Sequence, residues 1–236
     1  MLGIVGDAGA RRAAVWVVGA LALALAACGG DAPRHRVISL SDATTRVAQA
    51  LGLGDRVQLL DPNAPNALER ALTSGATLAI SDSSAATSGV RAAFASRSIA
   101  VRVFAPESTD EVVGAYTEIA TVLGKPRAAR ALIERVTREL AQGAGSGPRP
   151  KVALVLGRSP LRVVVGDAFL SHVLDLAGVD NVFAAEKGVT LAIRPQLLEE
   201  RKADRVLDVP PALLGDAWVD PVGTARALRA VVGSEG

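Results

Sequence analysis

In 236 residues the sequence holds one cysteine, one methionine, one tyrosine and two histidines, and aromatics make up only 3% of it. A single thiol cannot close an internal disulfide, so the fold must be held by burial. The histidines, His35 and His172, fall in different segments and lack the converging His and carboxylate ligands that a bare transition metal needs. No direct metal site and no resident cofactor are expected. Catalytic signatures are missing as well. There is no G-x-S-x-G, no P-loop and no H-E-x-x-H, and Gly52-Leu53-Gly54 ends a helix instead of opening a dinucleotide site. Glu199-Glu200 beside Arg201-Lys202 reads as a solvated helix face. An enzyme is not expected. The net charge is only +2 and the arginines are scattered without interleaved aromatics, so nucleic acid is a poor partner.

What the chain does have is a marked start. Arg11-Arg12, an apolar run from Ala13 and a small-residue end make a secretory signal, which is set aside for fold reasoning. The run falls short of the roughly 18 residues of a spanning helix. Its end, Leu25-Ala26-Ala27-Cys28, resembles a bacterial lipobox, which implies that Cys28 is lipidated and opens the mature chain. Residues 1–27 are then the leader and 28–35 a small, polar tether. The expected location is the periplasm or the extracytoplasmic face of a membrane, with the lipid as anchor.

The rest of the chain is half apolar and long enough for one large domain or two small lobes. Short β-rich runs alternate with helical patterns, which argues for an α/β fold with a largely parallel sheet. Strands are expected at Arg36–Leu40, Val57–Leu60, Leu78–Ile80 and Ile99–Phe104. Helices are expected at Asp42–Leu51, capped by Ser41 and stopped by Gly52, around Ala67–Leu72, and over Val90–Ser96. Ser108-Thr109-Asp110-Glu111 is a capping-box sequence, and Val112, Tyr116, Ile119 and Leu123 follow on one helical face. Pro126 suits the first turn of a second helix, striped by Ala129, Leu132, Ile133, Val136 and Leu140. Gly143–Pro148 reads as a linker. A second unit begins at Val152–Leu156, with strands at Val163–Val165, Val182-Phe183 and Val206-Leu207. Asp167 is expected to cap a helix that Gly178 stops, and a last helix covers Pro221–Val232. The plan is an N-terminal α/β lobe (36–106), a helical segment with its linker (107–147) and a C-terminal α/β lobe (148–236).

That order resembles the periplasmic substrate-binding proteins whose two lobes are joined by a rigid backbone helix, which serve ATP-driven importers of cobalamin, haem and ferric siderophores. Three stretches carry the resemblance. They are Arg36–Val57, then Leu68–Leu72 with Leu78–Ile80, and then Val163–Phe183, which includes Gly166-Asp167-Ala168-Phe169-Leu170. The chain departs from the pattern at several places. Asp42 and Arg46 stand where the family usually has proline and glutamate, and only Asp61–Ala67 separates the second strand from its helix. Pro195 stands where a glutamate is common, and the C-terminal lobe is abbreviated after Ala203.

The resemblance implies two small α/β lobes on a backbone helix, with a ligand cleft built from strand-to-helix loops. The residues so selected are Ser41, Asp42, Asp82, Ser83, Arg158, Ser159, Asp167 and Phe169, together with Trp218 in the polar, turn-rich Gly215–Pro221 stretch. Phe104, Tyr116 and Phe183 read as packing. The implied ligand is an iron chelate, a corrinoid or a similar molecule. The implied partner is an ABC permease, with Glu69 as the docking carboxylate of the first lobe. The other reading is a diverged lipoprotein that keeps the scaffold as an interaction module.

Overall fold

Val37–Ser39 (β1) is buried along its whole length, as a central strand of a parallel sheet must be. It belongs to a computed structural model that describes residues 36–83, 85–143 and 148–233. The leader, Cys28, the tether and most of the glycine-rich linker lie outside the described residues. β1 pairs in parallel with Val57–Leu59 (β2) and Leu78–Asp82 (β3), and β3 pairs in parallel with Ala100–Phe104 (β4), in the order β2-β1-β3-β4. The crossovers are the helices Asp42–Ala50 (α1), Ala67–Thr73 (α2) and Ser88–Ala95 (α3). The Ser41 hydroxyl caps α1 by accepting from Thr44 N at 3.4 Å, and Gly52 ends it with φ of 71°.

The capping box forms as expected. Ser108 Oγ accepts from Glu111 N at 3.3 Å, and the Glu111 carboxylate accepts from Ser108 N at 3.3 Å and from Glu107 N at 2.8 Å. It opens Thr109–Val122 (α4), which buries Val112, Tyr116 and Ile119. A 3-10 turn at Pro126–Ala128 leads into Ala129–Ala141 (α5).

The second sheet is mixed, a departure from the largely parallel expectation. Lys151–Arg158 (β5) runs antiparallel to Leu161–Val164 (β6), because only Ser159 and Pro160 join them, and two residues cannot make a parallel crossover. β6 is antiparallel to Thr190–Ala192 (β8), while Asp180–Asn181 (β7) and Arg205–Asp208 (β9) lie parallel to β5. The pairing near residue 182 therefore falls at Asp180–Asn181 and not at Val182-Phe183. Phe169–Ala177 (α6) follows β6 and stops at Gly178, whose φ of 73° is the left-handed value a helix C-terminus favours. Its N-cap is Ala168, without a side-chain bond, so Asp167 is not the cap.

The chain ends in three helices, Pro195–Glu200 (α7), Pro211–Val219 (α8) and Pro221–Gly233 (α9). α8 corrects the turn-rich reading of Gly215–Pro221. Although it comes late in the chain, α8 packs on α1 of the first lobe as well as on α6 and α9. Gly215 allows this approach, since a Cβ there would sit 3.1 Å from that of Ala43. One hydrophobic cluster consequently runs from Val37 and Val47 through Tyr116 to Leu154, Val173, Trp218 and Leu228. The two sheets share a core. Among the described residues no helix is long and apolar enough to cross a membrane.

Candidate functional site

At the carboxyl ends of β3, β4 and β6 the two sheets and α8 enclose a cavity of about 130 Å³. This is where open α/β sheets hold ligands, because the strand-to-helix loops diverge there. The first lobe supplies Asp82 at the end of β3 with Ser83, and Phe104 at the end of β4 with the residues up to Glu107. The second lobe supplies Leu156, Val164, Phe169, Val189 and Thr190, and α8 supplies Leu214, Gly215, Ala217 and Trp218.

Each wall is positioned by specific contacts. Ser41 Oγ, while capping α1, also accepts from Asp82 N at 3.2 Å. Beneath it, the hydroxyls of Ser39 and Thr44 share a 2.6 Å hydrogen bond, so this buried polar layer is satisfied internally. Asp82 Oδ1 accepts from Ala85 N at 3.1 Å, which fixes the carboxylate at the end of β3. Glu107 is held through its backbone. Its N–H donates to the capping-box carboxylate, and its C=O accepts from Phe169 N at 2.7 Å. With the Ser108–Ala168 bridge, this pins the first residue of α6 to the loop before α4 and ties the lobes next to the cavity.

Trp218 stands on the far side. Its indole stacks on Tyr116, with ring centroids 6.3 Å apart and planes 8° from parallel, and the Tyr116 hydroxyl donates to the Trp218 carbonyl. Burial holds the Tyr116 phenol well above its ordinary pKa, with Arg135 lowering it and Glu139 raising it further by smaller amounts. Arg46 reaches α8 by pairing with Asp216, and lies 2.9 Å from Asp42 on its own helix. Arg46 thus fastens α8 across α1.

Of the residues chosen from sequence, Asp82, Ser83, Phe169 and Trp218 meet at the cavity. Ser41 lies behind Asp82 and positions it. Asp42 is exposed beside Arg46. Arg158 does not line the cavity. It makes a bidentate pair with Asp208, at 3.0 and 2.7 Å, across the ends of β5 and β9, and this hydrogen-bonded carboxylate raises its pKa. Ser159 occupies the β5–β6 hairpin with a cis bond to Pro160. Asp167 accepts from Gly188 N at 2.7 Å and so holds the loop that delivers Val189 and Thr190. Phe104, Glu107 and Thr190 were not selected by sequence reasoning. Phe104 looked like core and is core, but its ring also forms wall. Glu107 was detectable only as the residue before a capping box that ends a strand. Among the described residues no group of three or more His, Cys, Asp and Glu is placed to hold a metal ion.

The fold is matched in solved structures. The fold is that of the periplasmic substrate-binding proteins with a helical backbone. A possible iron-binding periplasmic solute-binding protein from Staphylococcus epidermidis aligns over 84% of this chain and 98% of its own, with a TM-score of 0.62 at 16% identity. The periplasmic haem-binding protein HutB of Vibrio cholerae aligns over 84% and 86%, with a TM-score of 0.55 at 18% identity. The haem-binding protein RhuT from a Roseiflexus species, in apo form, aligns over 81% and 99%, with a TM-score of 0.53 at 18% identity. No family profile and no curated protein matches the sequence.

Proposed function

We propose that this chain is an extracytoplasmic, lipid-anchored binding protein that captures a small ligand between its lobes for an ABC importer. The observation that carries the reading is the cavity itself, which is walled by both sheets at their carboxyl ends and is predominantly apolar with a few polar groups, the ordinary make-up of a ligand site. The fold is one in which solved relatives bind haem or are described as possibly iron-binding. An iron chelate or a corrinoid is therefore the ligand class to try first. A cavity of about 130 Å³ is comparable to the engineered cavity of about 150 Å³ that holds one benzene. A whole haem or corrinoid does not fit it as it stands, and would enter only with the lobes further apart.

The interaction-module reading draws on the same fact, since α8 and the Glu107–Phe169 bond hold the lobes together. Docking separates the two. Glu69 is exposed in the first turn of α2, with Glu199 and Glu200 exposed on α7 behind Pro195. The test pairs a thermal-shift screen, using haem, cobalamin and a ferric hydroxamate, with uptake by cells that carry Glu69→Arg. Like charges brought together at a docking contact cost up to several kcal/mol, so uptake should fall while ligand affinity and Tm hold. Wild-type uptake retained by Glu69→Arg, with ligand bound, assigns docking elsewhere. A chain that binds none of the panel and supports no uptake is the module.

A further inference from the structure

Arg36 and Arg56 stand side by side at the amino ends of β1 and β2, one position before the paired residues Val37 and Val57. Arg36 donates to the Ser74 carbonyl at 2.7 Å. Arg56 donates to the Leu123 carbonyl at 3.0 Å, which draws it to the end of α4, where Lys125 and Arg127 rim an open hollow shared with residues 51–53. Arg97 lies in the turn between α3 and β4, at the same ends of the sheet. All five cations are exposed. Four strands spaced about 4.8 Å apart spread these ends over about 14 Å. Among the described residues none of the five is in an ion pair, since carbonyls and water are their partners. Asp55 is the one carboxylate in the turns that carry them.

The rest of the molecule does not share this balance. At the carboxyl ends of the same sheet the turns carry Asp61 and Glu107, and the helices that follow open with Glu69 and Asp110. In the second lobe the amino ends are compensated. Arg149 donates to Asp175 at 2.5 Å and to Asp180 at 2.6 Å, and Asp204 accepts from Lys151 N at 2.7 Å. The uncompensated basic end belongs to the first lobe, and it is also the end where the tether arrives, because Arg36 follows residue 35 directly. With Cys28 in a bilayer, the eight residues 28–35 reach at most about 26 to 29 Å when fully extended. The amino ends of the first sheet are therefore held near the lipid surface.

From this we infer that the amino ends of β1–β4 are a docking surface for anionic lipid headgroups. The anchored protein rests on the membrane through its first lobe, and the cavity-bearing ends of β3 and β4 are turned away from the lipid. A cation close to an anionic leaflet strengthens binding about five-fold, a factor equal to about 1 kcal/mol, and the effect fades within a Debye length. Five such cations against one carboxylate bind reversibly, so the surface orients an anchored chain and does not replace its anchor. The inference rests on the lipid-anchor part of the proposed function. It goes beyond that reading by naming the face that meets the membrane and the charge of the lipid.

The test uses the lipidated protein in vesicles that contain a quencher lipid with a nitroxide on its headgroup. Cys28 is the only cysteine, so once its thiol carries lipid a single introduced cysteine takes an uncharged fluorophore alone. Ser96→Cys places the label beside Arg97, and Asn63→Cys places it in the exposed turn after β2, at the opposite end of the sheet. In vesicles of phosphatidylglycerol and phosphatidylcholine, quenching at 96 should exceed quenching at 63 about three-fold. The preference should vanish in pure phosphatidylcholine, in 1 M salt, where charges act over only about 3 Å, and in Lys125→Glu/Arg127→Glu, whose Tm is checked alongside. Equal quenching at the two positions in the anionic vesicles overturns the inference, as does a bias towards 63 or a preference that survives in pure phosphatidylcholine. A preference erased by millimolar inorganic phosphate marks a site for soluble anions and overturns it too. If the mass of Cys28 shows no lipid, the anchor reading fails, and sedimentation of the unlipidated protein decides the surface by itself. Pelleting with the anionic vesicles but not the neutral ones upholds it, and failure to pellet with either overturns it.

Discussion

Tyr116 is the only tyrosine in the chain, and it lies at the point where the two lobes share their core. Its ring is buried between α4 and α8, and its hydroxyl donates to the backbone of Trp218, the residue that walls the cavity. Burial disfavours the phenolate, so the folded state holds the proton more tightly than the unfolded chain, where a tyrosine titrates near pH 10. The sign follows directly. Below about pH 10 both states keep the proton and the stabilisation is fully present. Above it the unfolded state ionises first, and stability is lost as pH rises towards the folded-state value. The slope is about 1.4 kcal/mol per pH unit, so near pH 11 the unfolded state gains about 1.4 kcal/mol from this group alone. For a domain of this size that is about 3 to 6 °C in Tm.

Lysine side chains ordinarily titrate in that range as well, so the measurement is a comparison. Tyr116→Phe removes the titration and one buried hydrogen bond, worth about 1 kcal/mol at neutral pH. The difference in Tm between wild type and Tyr116→Phe should favour wild type at neutral pH, shrink above about pH 10, and reverse near pH 11. Phenolate absorbance reports the same event without ambiguity, because no other residue contributes to it. It should stay low while the helical circular dichroism is intact and appear together with unfolding. Absorbance that rises reversibly near pH 10 in a fully folded protein would refute the argument, because Tyr116 would then be open to water and the lobes would not share a core there.

Gly215→Leu should lower Tm by about 3 to 10 °C and red-shift Trp218 emission. The side chain collides with Ala43, and overpacking of this kind costs about 1 to 3 kcal/mol. Gly215→Ala should be close to neutral, since about 1 kcal/mol of helix propensity offsets a contact at 3.1 Å, and a large loss with alanine would mean that α8 does not lie against α1. Cys28→Ser should release the protein from the membrane fraction with an unchanged Tm, and wild-type protein found free and unmodified would reject the anchor.

Much of the first lobe was legible in the sequence because its signals are local. Ser41 and Gly52 bracket α1 by chemistry that needs no tertiary partner, and the capping box at Ser108 states its own geometry. The second lobe was harder to read. β7 and β8 span two and three residues, too short for a period to show. α8 was missed because Gly215, Asp216 and Asp220 look like loop chemistry, whereas the glycine serves close packing and Asp216 meets Arg46. Asp167 looked like a cap, but its carboxylate is taken by Gly188, a pairing across twenty-one positions that no local pattern encodes. The cavity was half legible. The strand ends pointed to Asp82, Ser83 and Phe169, while Phe104 and Glu107 acquire their places only when the second lobe closes on them.

The contacts that α8 makes bear on one another. Arg46 pairs with Asp42 on its own helix and with Asp216, which α8 carries across to α1. α8 can make that crossing because Gly215 lets it lie against Ala43, and the crossing brings Trp218 over Tyr116. The backbone helix joins the lobes by covalent connection, the Glu107–Phe169 hydrogen bond ties them beside the cavity, and α8 ties them a third time through buried apolar contact. Hinge closure needs a few residues that absorb large dihedral changes while the rest of the interface lets go. Here any opening at the cavity must break the 2.7 Å bond to Phe169 and separate Trp218 from Tyr116 as well. A wide, flat ligand would have to bring enough binding energy to offset that separation.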